Sequence, residues 1–145
     1  MMVRPQEPTE RIEDDSPMSE GRAMPSFEVL HRDALMCQVR FSLSEASWAF
    51  EGHFPLQPVL PGVVQVLWVR KLLHYWFASL NTEGTPQPIS IRSIPQMKFT
   101  KPLFPEDTVQ LILTRSTPED ETLLFRYERV LPEGNECVSQ GKVKL

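Results

Sequence analysis

The sequence predicts an α+β domain in which one long helix is wrapped by a curled antiparallel sheet. The run from Val63 to Leu80 goes eighteen residues without Gly or Pro and is strongly apolar, as a buried helix requires. "LMCQVRFSL" alternates, placing Leu35, Cys37, Val39, Phe41 and Leu43 on one face and Gln38, Arg40 and Ser42 on the other. The C-terminal half repeats that alternation in "ISIRSIPQMKF", "DTVQLILTRS", "ETLLFRYERVL" and "NECVSQGKVKL", with turn residues between them. Strands that follow one another across short turns pair as an antiparallel meander, and a single helix must bury itself against that meander.

The elements follow in order. Residues 1–25 hold many charges and prolines and few large apolar side chains, so they are expected to be a disordered tail, with the folded domain spanning 26–145. The strand ending near Leu43 leads into "SWAFEGHFPLQPVLPG", where Pro55, Pro58 and Pro61 each fix φ and remove a donor; this predicts a stiff loop. Pro61 suits the opening of a helix, and the apolar residues of the helix occupy nearly its whole circumference. In the strands beyond, Val109, Leu111 and Leu113 share a face, as do Leu123, Phe125, Tyr127 and Leu131, and Cys137, Val143 and Leu145 fall on one parity.

Composition narrows the functional classes. A length of 145 residues suits one core, and a hydrophobic share of 41% against 23% charged residues excludes a wholly disordered chain. The formal net charge is -4 and no run of basic residues occurs, which argues against a nucleic-acid partner. Gln65, Arg70, Lys71 and His74 interrupt the helix too often for a membrane span. No secretory leader is read at the N-terminus, so a cytoplasmic location is expected. Cys37 and Cys137 lie in strand-like contexts and are expected to be two buried thiols, and no metal-ligand spacing occurs.

The motif "GHFPLQPVLPGV", which opens the helix, and "KFTKPLFPEDTV" about forty residues later resemble the β-hydroxyacyl-acyl-carrier-protein dehydratases of the FabA and FabZ type. The variant "PVLPGVVQ" is similar to the aryl-polyene, ApeI-like branch. The resemblance covers Phe27 to Leu145 and implies a hot-dog fold of one helix and five or six strands. It also implies a homodimer with the acyl site between subunits; a heterodimer with another hot-dog protein, whose acid would complete a shared site, is the alternative. The substrate implied is an acyl thioester on acyl carrier protein or coenzyme A; no cofactor and no metal are implied. By the same resemblance His53 is the base that takes the α proton, and the Gly62 amide stabilises the thioester carbonyl. Phe54, Pro61, Val63 and Leu67 are then substrate-binding. The chemistry suits the residues: a neutral imidazole in a dry cleft is an effective base near neutral pH, and amides at a helix start face developing negative charge.

One position departs from the family. Fourteen residues after the loop histidine the dehydratases carry a helix Asp or Glu that handles the departing hydroxyl; here stands Leu67. Leucine transfers no proton, and loss of such a group typically costs a factor of roughly 10² to 10⁴ in rate. Gln65 lies about 200° around the helix from Leu67 and is read as a structural residue. Arg70, Lys71 and His74 share the Leu67 face, as solvent or partner contacts or as contacts to a carrier's prosthetic arm. Glu45 and Glu51 flank the loop within possible reach of His53, and Arg92, Lys98 and Lys101 are candidate contacts for an acidic carrier. Three readings stay open: a 3-hydroxyacyl-carrier dehydratase, a lyase, with its acid supplied by another group; a non-catalytic acyl-binding or partner subunit; and an acyl thioesterase.

Overall fold

The computed structural model describes residues 10–14, 23–51, 58–80 and 89–145. Strands β1 (Arg11–Ile12), β2 (Phe27–Arg32) and β3 (Met36–Ser42) precede the helix α1 (Gly62–Leu80). Strands β4 (Ser93–Phe99), β5 (Thr108–Thr114), β6 (Thr122–Arg129) and β7 (Glu136–Lys144) follow it. All seven form one antiparallel sheet in the order β1-β2-β3-β5-β6-β7-β4. The expectation of five or six strands falls short because β1 comes from the segment read as tail. Arg11 and Ile12 pair with Glu28 and Phe27, and Met24 is buried. A two-residue strand in a polar segment has no periodicity to betray it.

The core consists of rows that cross the sheet. One runs Val39, Leu111, Tyr127, Ser139, Phe99 through successive strand registers, and a second runs Cys37, Leu113, Phe125, Gly141, Met97. Both begin fully buried on β3 and end exposed on β4, where Phe99 is 45% and Met97 41% accessible. Each large aliphatic buried in these rows contributes about 1.5–3 kcal/mol. A bulge opposite Tyr127 and Glu128 breaks the strand parity expected for Cys137: Val138 and Ser139 are buried in succession while Cys137 is only half-buried.

The helix lays Val64, Gln65, Trp68, Val69, Leu72, Leu73 and Trp76 into this core. Contrary to the all-round burial expected, Val63, Arg70 and His74 face outward. Its far end is tied to the β2–β3 turn: Trp76 Nε1 donates to Asp33 O at 2.7 Å, and Arg32 donates to the Tyr75 hydroxyl at 2.5 Å. Asp33 builds that turn by accepting from the Leu35 and Met36 amides, and these bonds, with His31, hold its carboxyl below the usual aspartate range.

Candidate functional site

The amino end of α1 is where the sequence concentrates its chemistry, and the fold brings it to the β4 edge. Pro61 stands immediately before the helix, and its carbonyl accepts from the Val64 and Gln65 amides at 3.1 and 3.2 Å. The Gly62 and Val63 amides meet no acceptor among the described residues. Helix starts leave such donors unspent, and the aligned peptide dipoles make them a seat for negative charge. Val63 itself is 77% exposed.

Gly62 owes its identity to a neighbour that sequence reasoning missed. A Cβ built there would lie 2.7 Å from Cζ of Phe99, inside any real contact distance. The missing side chain therefore makes room for the Phe99 ring, a role beyond the close approach of substrate expected from sequence. Phe99, against Gly62, and Val63, the next residue of the helix, leave exposed apolar surface at the helix start. The register that carries Phe99 to Gly62 depends on pairing between distant strands, which no local pattern in the sequence announces.

Leu67 is half-buried against the core and offers no proton. Trp68, the next residue, is fully buried with its Nε1 donor unpaired among the described residues; Phe41 and Trp48 pack edge-on against its ring. Gln65 points into the core and is 3% exposed. Its Oε1 accepts from Ser139 Oγ at 2.7 Å, its Nε2 donates to Leu60 O at 3.4 Å, and its main-chain carbonyl accepts from the Tyr127 hydroxyl at 2.6 Å. Burial keeps the Tyr127 phenol well above its ordinary pKa, so it remains a donor.

The loop around the helix start is braced from the other side as well. Leu60 N donates to Leu103 O at 2.8 Å. Leu103 belongs to the turn before β5, where Asp107 accepts from the Phe104 amide and from Arg129, and Arg129 also donates to Pro102 O and Glu136.

His53 and Phe54 lie outside the described residues. Of the predicted site residues, Pro61, Gly62, Val63 and Leu67 fall together on the first two turns of α1 or directly before them. Glu45 is engaged elsewhere, accepting from Arg11 and Ser26, and Glu51 is exposed. On the helix stripe Lys71 pairs with Asp14 at 2.5 Å, so it serves the fold, while Arg70 and His74 remain exposed. Among the cations considered for a carrier, Lys101 pairs with Glu136, whereas Arg92 and Lys98 are exposed on and beside β4. No group of three or more potential metal ligands occurs among the described residues. No described helix is long and apolar enough to cross a membrane.

The chain is similar to known proteins along most of its length. Residues 30–142 match the ApeI-like family, described as ApeI dehydratase. A chain of the dehydratase heterocomplex ApeI:P from Xenorhabdus doucetiae superposes with a TM-score of 0.63 and 32% identity, covering 83% of this chain and 96% of that one. An uncharacterized protein from Erwinia carotovora subsp. atroseptica gives 0.60 and 27%, covering 80% and 87%. The 3-hydroxyacyl-[acyl-carrier-protein] dehydratase FabZ of Rhodopseudomonas palustris strain TIE-1 is 39% identical over 70 residues, 47% of this chain and 46% of the relative. That of Methylobacterium sp. strain 4-46 is 32% identical over 81 residues, 54% and 49%. The match thus spans about half the length of these curated relatives. With one helix against an antiparallel sheet and a family match from 30 to 142, the chain has the hot-dog fold and belongs to the ApeI-like dehydratase family.

Proposed function

We propose that this chain is a subunit of a 3-hydroxyacyl-thioester dehydratase acting on an acyl group held by acyl carrier protein. His53 removes a proton from the α carbon, and the electron pair delocalises onto the thioester carbonyl. The Gly62 amide, with that of Val63 beside it, stabilises the charge that collects on that oxygen. The pair then returns to form the α,β double bond as the β hydroxyl leaves, taking up a proton to become water. Phe54, Pro61, Val63 and Leu67 line the path of the acyl chain. The observation that supports the reading is the pair of amides, unspent among the described residues, at a braced helix start that the sequence places nine residues after the family histidine.

Leu67 favours a particular division of labour. This chain contributes the base and the carbonyl seat, and a second hot-dog chain, paired along the open β4 edge, contributes the acid. The named relative in a dehydratase heterocomplex supports that arrangement over a homodimer. The two free cysteines suit a reducing cytoplasm, where carrier-bound acyl groups are processed. The test is formation of enoyl product from a 3-hydroxyacyl carrier thioester by the chain alone, by the chain with a co-expressed hot-dog partner, and by His53→Ala in each setting. The account predicts product with the partner and its loss, by roughly 10²-fold or more, in His53→Ala. Equal rates for wild type and His53→Ala would leave a non-catalytic, acyl-binding subunit as the reading.

A further inference from the structure

Gln65 is a buried amide in the first turn of a helix otherwise packed with aliphatic and aromatic side chains. An unpaired amide in such surroundings costs about 1–3 kcal/mol, so its place there needs a reason. Its three bonds run in three directions. Ser139 reaches it from β7, Tyr127 from β6, and it in turn reaches the carbonyl of Leu60. Leu60 is the buried residue two positions before Gly62, held on its other side by Leu103 O. The sheet, the helix start and the end of the proline loop are therefore joined at one residue, through its side chain to Ser139 and Leu60 and through its main-chain carbonyl to Tyr127, and the side chain points away from the stripe that contains Leu67.

We infer that Gln65 is a positioning residue: the side-chain strut Ser139–Gln65–Leu60, with the Tyr127 hydroxyl on the Gln65 main-chain carbonyl, sets the height and tilt at which the Gly62 and Val63 amides meet the thioester carbonyl. The inference rests on the dehydratase reading above and adds to it a residue that touches no substrate. An aliphatic residue at position 65 would fill the same volume, but it would leave Leu60 O and Ser139 Oγ without their partner. The helix start would then be free to shift, and misplacement by about 1 Å can cost as much as 10²-fold in rate.

The experiment compares wild type, Gln65→Met, and the double variant Gln65→Met with Ser139→Ala. The double variant removes the Ser139 hydroxyl that Gln65→Met alone would leave unpaired in the core, and so separates the cost of that stranded group from positioning. Each protein, with its hot-dog partner present, is assayed for kcat and KM on a 3-hydroxyacyl carrier thioester, and amide hydrogen exchange is followed at Leu60 and, as a control, at Leu72. The expected result is a kcat lower by roughly 10- to 100-fold in both variants, with KM within about twofold of wild type. Faster exchange at Leu60 should accompany it, with Leu72 unchanged. A double variant that is stable and matches wild type in kcat, or in exchange at Leu60, overturns the positioning role alone. A wild type that forms no enoyl product and shows no dependence on His53 overturns the dehydratase reading, and the positioning role falls with it.

Discussion

The two edges of the sheet are built to opposite purposes. At the β1–β2 edge the chain seals itself: β1 is only two residues long, and Arg11 pairs with Glu28 and Glu45 while Arg32 pairs with Glu10. Asp14 reaches over to Lys71 with both side chains mostly withdrawn from water. At the β4 edge the two core rows run out into Phe99 and Met97, both left exposed. Short, charged strands discourage pairing, whereas exposed apolar side chains on an unpaired strand invite it. Pro95 and Lys98 blunt the β4 edge only in part. On the proposal above, this edge, open among the described residues, is where a chain without the family carboxyl meets another.

That contrast can be sharpened by supplying the acid. Leu67→Glu restores a carboxyl at the family position on a half-buried face of α1. If the β4 edge is open because the acid comes from a partner, the variant alone should dehydrate a 3-hydroxyacyl thioester faster than wild type alone, by a factor of roughly 10² or more. Steady-state rates without a partner chain read this directly.

The open edge can also be broken from behind. A Cβ at Gly141 would lie 2.5 Å from the Gln96 carbonyl and 2.7 Å from the Phe125 ring, and the backbone oxygen of β4 has nowhere to retreat without losing its ladder. Gly141→Ala should therefore cost about 3 kcal/mol in urea denaturation and weaken any association through β4. Gly62→Ala meets only the half-exposed Phe99 ring, which can swing outward. It should cost less than about 1 kcal/mol in stability while lowering kcat. At the sealed edge, Lys71→Met strips Asp14 of a cation in a largely dry setting and should cost about 2 kcal/mol, with no change in dimerisation.

The smallest effect is on pH. Lys101 first, and Arg129 with it, holds the Glu136 carboxyl below its ordinary 4.5. A carboxyl depressed in the folded state contributes stability that is present above its unfolded value and is lost as pH falls through the folded value. Thermal midpoints should therefore fall slightly as pH drops below about 4.5, and Glu136→Gln should flatten that fall. The carboxyl is partly open to water, which screens its partners, so the change is minor.

Much of this was legible in the sequence, for definable reasons. The helix announces itself through a long apolar run free of Gly and Pro, and β5 and β6 through period, because each of those strands has one face against the core. The stiff loop expected from Pro55, Pro58 and Pro61 lies largely outside the described residues. What stayed hidden depends on contacts across long separations. Ser139 lies 74 residues from Gln65, so the amide could be read as structural but its partner could not be named. Phe99 reaches Gly62 only through the β4–β7 register, and the bulge at Val138 reverses a parity that the one-dimensional pattern keeps constant. Leu67 was legible as a departure at once, since its significance lies in the residue type alone.

The central claim is that this chain supplies the base and the carbonyl seat of a dehydratase. It is tested most directly by exchange of the α hydrogen of a 3-hydroxyacyl carrier thioester in deuterated water, read by mass spectrometry, since that half of the reaction does not call on the missing acid. The account predicts deuterium at the α carbon with wild type and none above background with His53→Ala. Equal incorporation by the two proteins, or none by either in the presence of the hot-dog partner, would contradict it.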